Sequence, residues 1–215
     1  MKGNGIIFDF DGTLADTLPD IADSVNAGLI ALGLAARPYA EVRDWIGEGL
    51  PLLCRRAIRD ADGVDLDEMV RVVTGHYREN RLNKVRPFDG VAALLDALVE
   101  RNVPIAVLTN KPHEHTTPMR DALFSDWPFA AIEGYREESR RKPDPRAALE
   151  IVGRMGLSPG EVLMVGDSFT DMQTGVNAGL VPIGCTWGYR SRAELLDAGA
   201  HALIDHPGEL LTHVR

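Results

Sequence analysis

A chain of 215 residues is long enough for one α/β core with a modest insertion and short for two independent domains. It has 45% apolar and 26% charged residues, and no apolar run approaches the ~18 residues that a bilayer requires. These features predict a cytoplasmic globular protein without a membrane partner. The net charge of −9 comes with mixed acidic and basic residues and no polybasic tract, which argues against a nucleic-acid partner.

The first apolar run, residues 5–8, predicts a short buried strand that leads directly into the segment FDFDGTLADT. Asp9 and Asp11 are therefore expected at the carboxyl end of this strand, next to a turn formed by Gly12 and Thr13. The backbone amides of such a turn can face an anion. Aspartate followed by glycine is also common in ordinary turns, so this segment alone leaves open a purely structural pair of turn or capping aspartates.

Residues 16–84 carry helical patterns and no convincing strand. Apolar residues recur at the spacing of one helix face in two stretches, of which the first ends near Gly33 and the second begins at Pro51. A helical block in this position predicts an inserted cap domain at 16–84 and an α/β core formed by residues 1–15 and 85–215. We expect the hinges near Asp16 and at residues 85–87.

The remaining strand-like runs are short, apolar and mostly followed by a loop and a helical pattern. They span residues 104–108, 130–132, 162–165, 181–185 and 202–204. Short buried strands that alternate with helices predict an α/β fold with a doubly wound, Rossmann-like parallel sheet. In such sheets, ligands bind at the carboxyl ends of the strands.

Polar side chains flank two more of these strands and one helix. Thr109 follows the second long run, Asp167 and Asp171 follow the run at 162–165, and Lys142 precedes a helix. Taken singly, they are compatible with a turn threonine, a solvated lysine and helix-capping aspartates. Taken together with the first two aspartates, they would meet at one edge of the sheet.

Four carboxylates at one sheet edge require compensating positive charge. A single like-charge pair at ~4 Å costs about 4 kcal/mol at an effective dielectric constant of ~20. A divalent cation and Lys142 would resolve this conflict. Because the cluster offers oxygen ligands and the sequence shows no histidine or cysteine cluster beside it, the pattern favours magnesium (Mg2+) over zinc.

These segments, in this order, resemble the four motifs of the haloacid dehalogenase superfamily, and the resemblance includes the cap. It implies phosphoryl transfer through an aspartyl-phosphate on Asp9. Asp11 would protonate the leaving group and then activate the water that hydrolyses the intermediate. The resemblance also implies that magnesium is held by the Asp9 side chain, the Asp11 backbone carbonyl and Asp167, with Asp171 as a further ligand or as support.

The same resemblance implies contacts with the transferring phosphoryl group. Thr109, Asn110 and Lys142 would bind it, next to the turn of Gly12 and Thr13. A hydroxyl and an ammonium group suit this task because phosphoryl transfer requires positioning and neutralisation of charge on the equatorial oxygens.

Within the superfamily, the segments RDWIGEGLPLLCRRAI, TNKP and WGYR resemble the phosphoglycolate phosphatases. The resemblance implies that Gly47, Glu48 and Gly49 of the cap contact the substrate. The implied activity is hydrolysis of a small phosphorylated metabolite, 2-phosphoglycolate, by a monomer or a homodimer. A β-phosphoglucomutase-like phosphomutase and a pyrophosphatase or nucleotidase on the same scaffold stay open, whereas a signalling receiver would lack the cap.

Four further residues, two cysteines and two histidines, are expected to have no part in the chemistry. Cys54 and Cys185 lie among apolar neighbours without metal-ligand spacing, which predicts reduced thiols in the core. His113 and His115 follow the segment TNK and are expected in a solvated loop.

Overall fold

The computed structural model describes residues 2–59, 61, 63–137 and 140–215. Its strands are, in chain order, β1 (Gly5–Phe8), β2 (Ala15–Asp16), β3 (Arg86–Pro87), β4 (Ile105–Pro112), β5 (Phe129–Tyr135), β6 (Val162–Gly166), β7 (Val181–Cys185) and β8 (Ala202–Ile204). Its α-helices are α1 (Leu18–Ala31), α2 (Tyr39–Arg43), α3 (Leu50–Ile58), α4 (Leu66–Asn80), α5 (Val91–Glu100), α6 (His113–Phe124), α7 (Arg146–Met155), α8 (Phe169–Ala178) and α9 (Arg192–Asp197). None of these described helices is both long enough and apolar enough to cross a bilayer.

The chain divides into two compact units. One, the core unit, consists of Met1–Ala15 and Pro87–Arg215, and the other, the inserted unit, is Asp16–Arg86. The divisions thus fall after residues 15 and 86, against predicted boundaries after residues 15 and 84. The chain leaves the core unit through β2 and returns through β3, and these two strands form a separate two-stranded sheet.

The core unit contains a six-stranded sheet in the order β5-β4-β1-β6-β7-β8. β1 pairs in parallel with β4, where Ile7 lies opposite Ala106, and with β6, where Ile7 lies opposite Met164. The chain therefore enters the sheet at its centre, adds β4 and β5 on one side and then adds β6, β7 and β8 on the other. Such a reversal beside β1 is the topological switch point at which doubly wound folds bind ligands. The predicted fold class is confirmed.

The segment that follows the apolar run at residues 104–108 differs from its prediction. β4 continues through Thr109 to Pro112, with a shift in its register to β5 at that end. The predicted solvated loop is helix α6, which contains Pro118. Two of its buried positions are the polar residues His115 and Thr116, so the apolar stripe that normally identifies a helix is interrupted there.

The inserted unit consists of helices α1 to α4, and α1 packs closely on α4. A Cβ atom added to Gly28 of α1 would lie 2.7 Å from Val73 and 2.9 Å from Met69, both of α4, so the two helices touch where α1 has no side chain. The unit is closed at its ends by Asp20, whose buried carboxylate accepts hydrogen bonds from the backbone N–H groups of Lys84 and Val85.

We predict that this clamp stabilises the protein. Asp20→Ala should lower the free energy of unfolding by about 2 kcal/mol or more, because it leaves the amides of Lys84 and Val85 without their carboxylate acceptor. The matched control is Asp23→Ala, which removes a partly exposed carboxylate that pairs with Lys84 and Tyr39 and should cost less than about 1 kcal/mol. Urea unfolding followed by circular dichroism measures both, and equal losses would contradict the prediction.

Candidate active site

The three aspartates at the carboxyl ends of β1 and β6 lie together. Asp9 follows β1 directly, and its backbone N–H donates to the carbonyl of Val165 in β6 at 2.9 Å. Asp167 follows β6 directly, and Asp171 lies in the first turn of α8. Carboxylate oxygens of these three aspartates lie within 4.8 Å of one another, and all three side chains are buried. The sheet register thus brings residues from distant parts of the sequence into one acidic cluster.

Lys142 provides positive charge inside this cluster. Its Nζ atom lies 2.8 Å from Oδ1 of Asp9 and 2.5 Å from Oδ1 of Asp171, and its side chain is 2% exposed. Burial disfavours the ammonium form, but the carboxylates of Asp171 and Asp9 outweigh that effect and raise the pKa of Lys142 above its usual value. The two carboxylates therefore favour the charged form of Lys142.

Asn110 fixes the backbone at Lys142. Its side-chain oxygen accepts from the N–H of Lys142 at 2.8 Å, and its side-chain nitrogen donates to the carbonyl of Lys142 at 3.1 Å. Thr109 is buried beside it and accepts a hydrogen bond from the N–H of Lys111 at 3.3 Å. The side chain of Asn110 thus holds the backbone of Lys142, and its predicted contact with the phosphoryl group stays a prediction.

The acidic cluster carries more negative charge than Lys142 offsets. Burial, followed by repulsion from Asp171, raises the pKa of Asp9 to about 7 even though Lys142 opposes the rise. Burial and the charges of Asp171 and Asp9 also raise the pKa of Asp167 well above its usual value, although the hydrogen bond from the N–H of Tyr189 opposes the rise. A cation bound among the three carboxylates would favour their ionised forms. Because all the donors are carboxylate oxygens, the residues fit a hard divalent cation.

Asp171 has partners on both of its oxygens. Oδ1 meets Lys142, while Oδ2 accepts from the hydroxyl of Ser168 at 2.5 Å and from its N–H at 3.0 Å. The contacts with Ser168 form a capping box at the start of α8. A Cβ atom on Gly166 would lie 2.2 Å from this carboxylate, so the approach requires glycine. Asp171 therefore caps α8 and also lies in the acidic cluster, and its role toward a metal ion stays a prediction.

Asp167 is enclosed by the segments that follow β1 and β7. Its Oδ2 accepts from the N–H of Tyr189 at 2.7 Å, and its Oδ1 accepts from the hydroxyl of Thr13 at 3.4 Å. A Cβ atom on Gly12 would lie 2.3 Å from Oδ2 of Asp167, and one on Gly188 would lie 2.2 Å from its Cβ atom. The side chain of Thr13 is thus buried and directed at Asp167, and the predicted contact of the turn of Gly12 and Thr13 with substrate stays a prediction.

Comparison with known proteins agrees with this geometry. A family model described as haloacid dehalogenase-like hydrolase matches residues 6–184 of the chain. The chain belongs to the haloacid dehalogenase-like hydrolase family. The resemblance that the four segments predicted is confirmed.

Several relatives of this hydrolase match it over nearly its whole length. A protein named phosphoglycolate phosphatase from Haemophilus influenzae is 34% identical over 213 residues, which cover 95% of either chain. A protein of the same name from Mesorhizobium japonicum is 36% identical over 205 residues, 94% of this chain and 90% of the relative. The crystal structure of a predicted phosphoglycolate phosphatase from Haemophilus somnus has a TM-score of 0.91 at 30% identity and covers 99% and 98% of the two chains.

The sequence did not lead us to predict one ion pair of the hydrolase, between Lys111 and Asp11. Lys111 is buried, and its Nζ atom lies 2.9 Å from Oδ1 and 3.2 Å from Oδ2 of Asp11. The signal that could have identified it is the spacing to Thr109, because residues two apart on an extended strand point to the same side. The prediction ended the strand too early for this spacing to be used.

The three residues predicted to contact substrate from the cap belong to the inserted unit. Gly47 and Gly49 have φ values of 114° and 90°, a region that favours glycine. Glu48 between them forms an ion pair with Arg56 at 2.5 Å. Their contact with substrate stays a prediction.

Both cysteines of the hydrolase are free and buried. Burial raises the pKa of Cys54 to about 12. Burial, followed by the charge of Asp167, raises the pKa of Cys185 well above its usual value, and its sulfur lies 3.6 Å from the hydroxyl of Thr13. Both thiols lie free in the interior, as predicted.

We predict that Gly188 is required for the position of Asp167. Gly188→Ala should lower the melting temperature and remove most of its rise on adding magnesium, because the new methyl group would overlap Asp167 and the carbonyl of Gly12. Gly153→Ala is the matched control. This glycine lies inside α7 with open space around its Cβ position, so alanine should stabilise the helix by about 0.5–1 kcal/mol. A wild-type response to magnesium in Gly188→Ala would show the prediction to be wrong.

Proposed function

We propose that this hydrolase is a magnesium-dependent phosphatase of small phosphate monoesters, with 2-phosphoglycolate as its substrate. The observation that carries the proposal is the buried Asp9 carboxylate, which lies beside Lys142 and two further aspartates at the switch point of the sheet. The relatives named phosphoglycolate phosphatase, at 34% and 36% identity over most of the chain, support the choice of substrate.

Two displacements at phosphorus account for the reaction. In the first, a carboxylate oxygen of Asp9 attacks phosphorus, the bond from phosphorus to the ester oxygen breaks, and Asp11 gives a proton to that departing oxygen. In the second, Asp11 takes a proton from a water molecule whose oxygen attacks phosphorus of the aspartyl-phosphate. This step releases inorganic phosphate and returns the Asp9 carboxylate.

The surrounding residues position the phosphoryl group and balance its charge. Lys142 lies within 2.8 Å of Asp9, which lets its ammonium group face the equatorial oxygens during transfer. We assign a phosphate contact to the hydroxyl of Thr109 as well. Magnesium would be held by Asp9, Asp167 and the carbonyl of Asp11, and when bound it would supply further positive charge beside the phosphoryl group. Asp171, engaged with Ser168 and Lys142, would support these ligands from behind.

Discrimination between substrates is assigned to the inserted unit, which acts as a cap. The core unit supplies the groups that cleave a generic monoester, so a small substrate must be recognised through the rest of its structure. The carboxylate of phosphoglycolate requires positive or N–H-rich partners. Gly47 and Gly49, with positive φ values and no side chains, would let backbone amides approach that carboxylate.

The metal requirement is tested by chelation. A fully chelated enzyme should release no phosphate, magnesium should restore turnover, and calcium should inhibit. Calcium accepts more ligands than magnesium and would engage both oxygens of Asp9, which removes the lone pair needed for attack. Phosphate release under each condition is the measurement, with the magnesium-reconstituted enzyme as control. Full turnover after complete chelation would contradict the role of the metal.

The assignment of substrate discrimination to the cap is tested by substitutions in the cap. Gly47→Val and Gly49→Val should reduce kcat/KM for phosphoglycolate far more than kcat/KM for p-nitrophenyl phosphate, which can react on the core unit alone. Gly33→Val is the matched control, because Gly33 has a φ of 75° in the same unit with open space around it, so valine introduces similar backbone strain. Both activities of the control should change in parallel.

An unchanged ratio of the two specificity constants in Gly47→Val and Gly49→Val would mean that these cap residues do not select the substrate. A higher kcat/KM for pyrophosphate, a nucleotide or a sugar phosphate than for phosphoglycolate in the unmodified enzyme would overturn the substrate assignment. Asp9→Asn provides the blank for all of these assays, because an amide cannot act as the nucleophile.

A further inference from the structure

The ion pair between Lys111 and Asp11 joins two buried or nearly buried charges of the core unit. The Lys111 side chain is 3% exposed and the Asp11 side chain is 13% exposed. Both oxygens of Asp11 lie within hydrogen-bonding distance of the same ammonium group, at 2.9 and 3.2 Å. An ammonium group is strongly hydrated in water. The free-energy cost of burying it is therefore offset only where a well-placed partner compensates for the lost hydration.

The backbone on both sides of Lys111 is fixed by hydroxyl groups. Its N–H donates to Oγ1 of Thr109 at 3.3 Å. The hydroxyl of Thr116, in the first turn of α6, lies 3.3 Å from the carbonyl of Lys111 and 3.1 Å from that of Pro112, and donates to them. The register shift at the end of β4 lies at the same place. The lysine therefore extends toward Asp11 from a rigid part of the main chain.

Asp11 lies in the turn that follows β1, where it forms a β-bridge with Ala15. It is beyond the end of β1, directly before Gly12, whose φ of 84° is accessible mainly to glycine. The rotation of a carboxylate about its last side-chain bond is soft, so packing alone orients it weakly. Contact of both oxygens with a fixed ammonium group restrains that rotation.

We propose that Lys111 is a positioning residue that holds the Asp11 carboxylate in the orientation from which it gives its proton to the leaving group. The inference rests on the proposed function, because it assumes that Asp11 is the acid. One oxygen stays on Lys111 while the other faces the departing ester oxygen. Lys111 acts through Asp11 and is assigned no contact with phosphorus.

The test compares three substrates in Lys111→Met. Phosphoglycolate and ethyl phosphate both have poor alkoxide leaving groups, but only the first carries a carboxylate, whereas p-nitrophenyl phosphate departs with little help from an acid. We compare kcat/KM values, which report the steps up to release of the alcohol. Lys111→Met should lose about tenfold or more on both alkyl phosphates and less than about threefold on p-nitrophenyl phosphate.

A double-mutant cycle separates positioning of Asp11 from general stability. Asp11→Asn should show the same dependence on leaving group, and adding Lys111→Met to it should change kcat/KM for ethyl phosphate by less than about twofold. Lys111→Arg, which keeps the charge and the donors, should recover part of the loss on alkyl phosphates. If Lys111→Met does not fold, Lys111→Arg takes its place in the test. A smaller loss of kcat/KM that is selective for alkyl phosphates is still expected for Lys111→Arg. Lys84→Met, which removes the ion pair with Asp23 in the inserted unit, is the control and should leave the substrate ratios unchanged.

Three results would overturn the inference. Equal losses on all three substrates would make Lys111 a purely structural residue. A loss confined to phosphoglycolate would mean that Lys111 contacts the substrate carboxylate. Independent, multiplicative effects of the Lys111 and Asp11 changes would show that Lys111 does not act through Asp11. If instead Asp11→Asn shows no dependence on leaving group, the proposed function itself fails.

Discussion

Three carboxylates buried at one edge of a parallel sheet depend on compensating positive charge, and the organisation of the core unit follows from this requirement. Asp9, Asp167 and Asp171 have oxygens within 4.8 Å of one another. Lys142 contacts two of them and is itself buried. Removing the lysine would leave uncompensated negative charge in a medium of low polarity, which is far more costly than losing a surface ion pair. The residual negative charge is what makes the cluster suitable for a divalent cation and for phosphate chemistry.

The backbone around the cluster is arranged so that these charges meet. The pairing of β1 with β4 and β6 puts Asp9 between the segments that carry Thr109 and Asp167. The side chain of Asn110 then fixes the main chain of Lys142, although the two residues are 32 positions apart. Gly166 and Gly188 give the space that the carboxylates of Asp171 and Asp167 occupy. The charged groups are thus held by hydrogen bonds and close packing around them.

Much of this arrangement could be predicted from the sequence, because the strands that matter are continuous apolar runs. β1, β6, β7 and β8 match the predicted runs closely, and the aspartates that follow β1 and β6 were found from the turns beside them. Helix α6 was missed because polar His115 and Thr116 occupy buried positions, which interrupts the apolar stripe that identifies a helix. The same error hid Lys111, which a longer β4 would have aligned with Thr109.

Other features could not be predicted because they depend on contacts between distant residues. Asp171 has the local pattern of a helix cap, and the contact that makes it part of the site comes from Lys142, 29 positions earlier. The hydroxyl of Thr13 faces Asp167 and Cys185, which lie 154 and 172 positions later in the sequence. Local sequence shows what a side chain can do, and the fold determines which of its possible partners it meets.

An aspartyl-phosphate on Asp9 can be detected directly by reduction with borohydride, which converts the acyl phosphate to an alcohol and so turns the aspartate into homoserine. Asp11→Asn, supplied with magnesium and p-nitrophenyl phosphate, is the suitable enzyme. The p-nitrophenolate group of this substrate departs without help from an acid. The variant lacks the carboxylate that activates water, so the aspartyl-phosphate accumulates. We expect peptide mass spectrometry to find homoserine at position 9 only when substrate is present. Release of p-nitrophenol without homoserine at position 9, or with homoserine at another aspartate, would contradict the role of Asp9.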